Sequence, residues 1–104
     1  MPPSSLRVAV AGFKTCPFHK RAVAAVKQLA ASGKIASFEE KTFPSRDDYR
    51  AWLFSSKGRD SFNDARAKKH TSCPFVFKND TEFIGGCDDA LAFAASLSGG
   101  SAKL

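Results

Sequence analysis

Nowhere does the sequence hold the roughly 20 consecutive apolar residues that a helix needs to cross a bilayer. Its opening, Met1-Pro2-Pro3-Ser4-Ser5, runs into an apolar stretch that Arg7 interrupts, so a secretory leader does not fit either. Cysteine is scarce: Cys16, Cys73 and Cys87 are odd in number, too thinly spread for a disulfide scaffold, and no pair has zinc-ribbon spacing. The expectation is reduced thiols in a soluble, cytoplasmic protein. Long Lys/Arg runs, nucleic-acid motifs, internal repeats and linkers are also missing. The net charge of +6 comes instead from dispersed residues such as Lys14, Lys20, Arg21, Lys57, Arg59, Arg66, Lys68 and Lys69. That pattern reads as a solvated surface open to acidic partners and small anions, and does not select nucleic acid. With 104 residues, 43% of them hydrophobic and ten of them phenylalanine, there is material for one core, and a single domain over 1–104 is expected.

The periodicities within that domain alternate between strand and helix. Leu6 to Phe13 places Leu6, Val8 and Val10 on one face and Ala9, Ala11 and Phe13 on the other, as in a strand buried on both sides. Pro17 suits the first helical position, and Ala22, Val23, Val26, Leu29 and Ala30 recur at helical spacing until Gly33. Ile35 to Phe43 reads as a second strand, parallel to the first across this helix. Ser45 with Asp48 forms a capping-box-like start to a helix striped by Tyr49, Trp52 and Leu53. Phe62 and Ala65 mark a further helical turn. Phe75 to Lys78, the turn pair Asn79-Asp80, and Thr81 to Ile84 make a hairpin. Asp88 and Asp89 open a last helix through Leu97, before Gly99-Gly100. The order predicts an α/β domain with a four-stranded mixed sheet flanked by helices on both faces.

Three short motifs carry chemistry. In Lys14-Thr15-Cys16-Pro17-Phe18-His19 the thiol stands at a helix N-terminus, where free N–H groups, the helix dipole and the Lys14 charge favour a thiolate. Cys16 is therefore expected to be an exposed nucleophile. In Ser72-Cys73-Pro74, a proline between a loop and a β run is suited to a cis bond, leaving the Cys73 backbone open to pairing. In Gly85-Gly86-Cys87-Asp88-Asp89, the two glycines permit positive φ and close backbone approach, and the helix start behind them offers N–H groups to a carboxylate.

Taken in order, these motifs resemble those of the glutaredoxins, a thioredoxin-fold family with Cys-Pro-Tyr-Cys after the first strand, Thr-Val-Pro with a cis proline, and Gly-Gly-Cys-Asp-Asp before the last helix. The resemblance implies a glutathione-dependent thiol-disulfide oxidoreductase with Cys16 as its catalytic residue. It also implies a glutathione groove formed by Lys14, Phe18, Cys73, Pro74, Gly86, Cys87 and Asp88. There the Cys73 backbone would pair with the cysteinyl unit, the Cys87 and Asp88 amides would hold the γ-glutamyl carboxylate, and Lys14 with Arg59 would meet the glycine carboxylate. His19 stands where the family has its second cysteine, so the implied reaction is monothiol deglutathionylation, with glutathione and glutathionylated proteins as partners of a monomer. His19 and Thr15 are modulators in this reading, His19 either holding the thiolate or facing solvent. Cys73 is either a small space-filling residue or a substitute resolving thiol.

Two further readings attach to the same resemblance. The cluster-carrying monothiol glutaredoxins have Cys-Gly-Phe-Ser and a longer lead, whereas here Pro17 replaces the glycine. A glutathione-ligated [2Fe-2S] cluster bridging two chains through Cys16 is their implied cofactor, and no metal site formed by the chain alone is expected. Separately, Phe38-Glu39-Glu40-Lys41 with Ser45 to Trp52 resembles the SH3-binding glutamate-rich proteins, which share the fold, lack the active cysteine and imply a non-catalytic interaction module.

Overall fold

The structure, a computed structural model, describes residues 6–56, 58–79 and 82–98. Strand β1 spans Arg7–Phe13 and is buried on both sides as its alternation predicts, with Leu6, Val8 and Val10 in one core and Ala9, Ala11 and Phe13 in the other. Helix α1, Pro17–Ala31, starts with proline at its first position, ends at Ser32, and is left through Gly33 at φ 74°. Strand β2, Ser37–Phe43, runs parallel to β1 from the Arg7/Ser37 pair to Phe13/Phe43. It begins two residues later than expected, because Ile35 drops into the core instead of joining the ladder.

Helix α2, Arg46–Leu53, is capped by Ser45, whose Oγ accepts the Asp48 N–H at 3.2 Å. The helical turn expected around Phe62 and Ala65 is two short pieces: a 3-10 turn at Arg59–Ser61 and helix α3, Ala65–Lys69, capped by Asp64. Buried Phe62 plugs the gap between them. Strands β3, Phe75–Lys78, and β4, Glu82–Gly85, pair antiparallel. Asn79, at φ 52°, leaves β3. Helix α4 covers Cys87–Ser98 and starts one residue before the expected Asp88. Met1 to Ser5, Lys57, Asp80, Thr81 and Gly99-Gly100 lie outside the described residues.

The sheet order is β2-β1-β3-β4, with β1 parallel to β2 and antiparallel to β3. Helices α1 and α4 cover one face through Ala22, Val26, Leu29, Ala90 and Ala94. The opposite face is aromatic: Phe75 meets Phe83 at 4.8 Å, Phe62 at 5.1 Å and Trp52 at 5.8 Å between ring centroids. Because β1 and β3 run in opposite directions, the end of β1 lies beside the start of β3, and Gly85, at the end of β4, pairs with Val76. Three junctions therefore gather at one end of the sheet: β1 to α1, the loop into β3, and β4 to α4. Those junctions carry the three motifs.

Candidate functional site

Cys16 is the N-cap of α1. Its backbone is extended, at φ −78° and ψ 116°, and its Sγ accepts the His19 backbone N–H at 3.4 Å. Capping serines and aspartates make this bond with oxygen. Here sulfur takes the role. The expected exposure is not found: Cys16 is 4% exposed. Turning back to cap its own helix draws the sulfur against the helix end, where it joins the wall of a cavity of about 230 Å³ shared with Phe13, Phe18, Tyr49, Ser72 and Cys73. Phe18 is the exposed rim of that cavity at 53%.

The loop into β3 forms the facing wall. The Cys73–Pro74 peptide is cis, as expected. The Cys16 thiol lies 3.9 Å from the Cys73 carbonyl oxygen, to which it donates a weak bond. Two side chains fix the loop: the Tyr49 hydroxyl donates to the Ser72 carbonyl at 2.7 Å, and His70 Nε2 donates to the Pro74 carbonyl at 2.8 Å. Burial, followed by the nearby Cys73 and Cys16 thiols, pushes the Tyr49 phenol up, so it stays a donor. Burial lowers the His70 pKa against the opposing pull of its Pro74 and Ser72 backbone bonds. Pro74 itself is buried and shapes the loop without lining either cavity.

Beyond Phe18, Ser72 and Cys73, which border both spaces, a second cavity of about 460 Å³ extends to Gly85, Gly86, Cys87, Asp88 and Asp89. Of the two glycines, Gly85 alone has positive φ, at 146°, and a Cβ there would overlap the Asp89 carboxylate. Gly86 does not need its missing side chain for folding, since the nearest atom to a Cβ would be His70 Cε1 at 3.5 Å. A Cβ there would sit in ordinary contact on the cavity wall at the start of α4. Burial, ahead of the neighbouring Asp88 charge, raises the pKa of the Cys87 thiol even though Arg21 opposes it.

Four expected residues are placed differently. Lys14 lines neither of these cavities. Alternation carries it to the face opposite Phe13, into a separate hollow with Lys20, Lys27, Glu40 and Thr42. Thr15 is exposed and borders none of the three spaces. Arg59 is a tie within the fold: its Nη1 donates to the His70 carbonyl at 2.8 Å and its guanidinium lies 4.4 Å over the Phe54 ring. His19 neither faces solvent nor offers its ring to Cys16. It is 2% exposed, with Nε2 2.9 Å from Thr42 Oγ1, and burial, ahead of the opposing Glu40 charge, lowers its pKa.

Sequence reading missed Arg46 and Arg50, which border the Cys16 cavity from α2, and Arg66 and His70, which border the larger one. The available signal for Arg46 was its place directly after the capping Ser45. For His70 it was a histidine four residues before Pro74. Among the described residues, no group of three or more His, Cys, Asp or Glu side chains is arranged to hold a metal ion. The same residues include no helix long and apolar enough to cross a membrane.

A four-stranded mixed sheet with helices on both faces, a capping cysteine at α1 and a cis proline before β3 together define a thioredoxin-type fold of the glutaredoxin kind. Among solved structures the chain is similar to the crystal structure of glutaredoxin 1 from Francisella tularensis complexed with cacodylate. The TM-score is 0.56, with 20% identity over 92% of this chain and 100% of that one. At that identity the likeness establishes the fold. No family model and no curated sequence matches the chain.

Proposed function

We propose that the protein is a glutathione-dependent thiol-disulfide oxidoreductase, working through Cys16 in a reducing, cytoplasmic compartment and acting on glutathionylated proteins. The observation that carries this reading is the Cys16 sulfur at the end of α1, accepting the His19 amide beside two cavities that meet at Cys73. An amide donor and the positive helix end stabilise developing charge on that sulfur. The two cavities together suit a groove with cations at one end and, at the other, two carboxylates alongside Arg66 and His70. Arg46 and Arg50 border one end and suit the glycine carboxylate. The α4 start at Gly86, Cys87 and Asp88 offers amides to the γ-glutamyl carboxylate, while the Asp88 and Asp89 carboxylates suit its ammonium.

In the first step the Cys16 thiolate attacks the glutathione sulfur of a mixed disulfide, and the protein thiolate leaves. A second glutathione thiolate then attacks that same glutathione sulfur, restoring Cys16 and releasing glutathione disulfide. A [2Fe-2S] cluster bridging two chains would draw on the same sulfur. The low exposure of Cys16, in the wall of a cavity of about 230 Å³, suits exchange with a peptide-sized disulfide better than ligation of a shared cluster.

Turnover of hydroxyethyl disulfide with glutathione tests the reading. Wild-type protein is expected to show saturable activity that Cys16→Ser reduces by at least about a hundredfold, the order of loss when a nucleophile is removed. Folded wild-type protein without turnover would refute it and favour the interaction-module alternative.

A further inference from the structure

We propose that Cys16 and Cys73 are a redox pair, Cys73 acting as the resolving thiol in place of a second cysteine at the helix position held by His19, with His19 as the base that receives its proton. The inference rests on the reading of Cys16 as the glutathione-reactive thiol.

Three observations carry it. First, the two cysteines meet across the cavity wall. The Cys16 thiol lies 3.9 Å from the Cys73 carbonyl, and both residues line the same cavity. Second, Gly12 lets His19 and Cys73 converge: a Cβ on Gly12 would overlap His19 Nδ1 and stand 2.8 Å from Cys73 Sγ. Both atoms therefore lie against the same point of β1.

Third, hydrogen bonding fixes which ring nitrogen of His19 is free. The Thr42 hydroxyl donates its single proton to Glu40 Oε2 at 2.6 Å. The Thr42 oxygen must then accept from His19 Nε2, at 2.9 Å. A neutral imidazole protonated at Nε2 carries its lone pair on Nδ1. That atom is buried and has no hydrogen-bond partner. A buried orphan acceptor is costly in a core. Beside a thiol it is an acceptor in place, and the Glu40 charge behind Thr42 offsets part of what burial costs the imidazolium.

Once Cys16 carries glutathione, and in competition with attack by a second glutathione, the Cys73 thiol gives its proton to His19 Nδ1. Its sulfur attacks Cys16 Sγ, the Cys16–glutathione bond breaks, and glutathione leaves as thiolate. Cys73 and Cys16 are then joined by the disulfide that the mixed disulfide's oxidising equivalents provide. Two glutathione molecules reduce it, yielding both thiols and one glutathione disulfide. Burial, followed by the neighbouring Cys16 thiol, holds the resting Cys73 thiol above the usual range, while the Phe13 amide favours its thiolate. A base close by is what such a thiol needs in order to react.

Reduced protein is incubated with glutathione disulfide, quenched in acid, alkylated, and read by intact mass and peptide mapping. The expected wild-type product is a Cys16–Cys73 disulfide without bound glutathione, leaving Cys87 alkylated. Cys73→Ser and Cys73→Ala should both stop at glutathione on Cys16. His19→Gln should retain that adduct on the order of tenfold longer than wild type. Wild-type protein that keeps glutathione on Cys16 while Cys73 is alkylated overturns the pair and leaves the glutathione reading standing. If Cys16 is not oxidised in any variant, both fail.

Discussion

His19 and His70 occupy very different settings but share one physical condition, a ring drawn out of water. His19 lies between β1 and Thr42, and His70 meets Phe75 and Phe83 edge to face while holding the Pro74 carbonyl. Desolvation is the largest influence on both, and it lowers both pKa values from 6.5. Above pH 6.5 both rings are neutral whether the chain is folded or not, so their contribution to stability is complete. As pH falls through 6.5 toward the lower folded values, the unfolded chain takes up protons that the folded chain refuses, and stability drops. The urea midpoint should therefore fall between about pH 7.5 and pH 5.5, a window above that of carboxylates such as Asp64. A His19→Gln, His70→Gln protein should have a flatter profile over the same range. A wild-type midpoint that rises on acidification would contradict this.

At the scale of elements, the loop between β4 and α4 separates what folding requires from what a ligand requires. Gly85→Ala meets both a positive φ and the Asp89 carboxylate, and should cost roughly 1–3 kcal/mol in unfolding free energy. Gly86→Ala meets nothing nearer than 3.5 Å, so stability should change by about 1 kcal/mol or less, while KM for glutathione rises several-fold. Equal destabilisation by the two substitutions, or an unchanged KM for Gly86→Ala, would count against the groove. The element order was legible because its signals are local: the two-faced alternation of Leu6 to Phe13, proline after Cys16, and Ser45 reaching Asp48. The stretch from Phe54 to Asp64 was not legible, because its course is set by contacts distant in sequence. Arg59 reaches the His70 carbonyl, and Phe62 fills space under Phe75 and Phe77. That is why Arg59 was expected in the groove, where Arg46 and Arg50 stand instead.

At the scale of the whole molecule, one sheet carries two cores. Val8, Val10 and Val76 face α1 and α4, while Ala9, Ala11, Phe75 and Phe77 face α2 and α3. The antiparallel β1–β3 pair joins them and brings the three motif-bearing junctions to one end. The motifs could be read along the chain, but the burial of Cys16, the inward turn of His19 and the outward turn of Lys14 depend on how those junctions face each other in space. The account rests on the Cys16 sulfur as the atom that receives glutathione. Its most direct test is a single-turnover, rapid-quench reaction of excess protein with a glutathionylated peptide, following the free peptide and tracing the glutathionyl group to each cysteine. The account predicts peptide release in step with oxidation at Cys16, with Cys87 remaining reduced and release lost in Cys16→Ser. Release that persists in Cys16→Ser, or glutathione arriving first on Cys87, would contradict it.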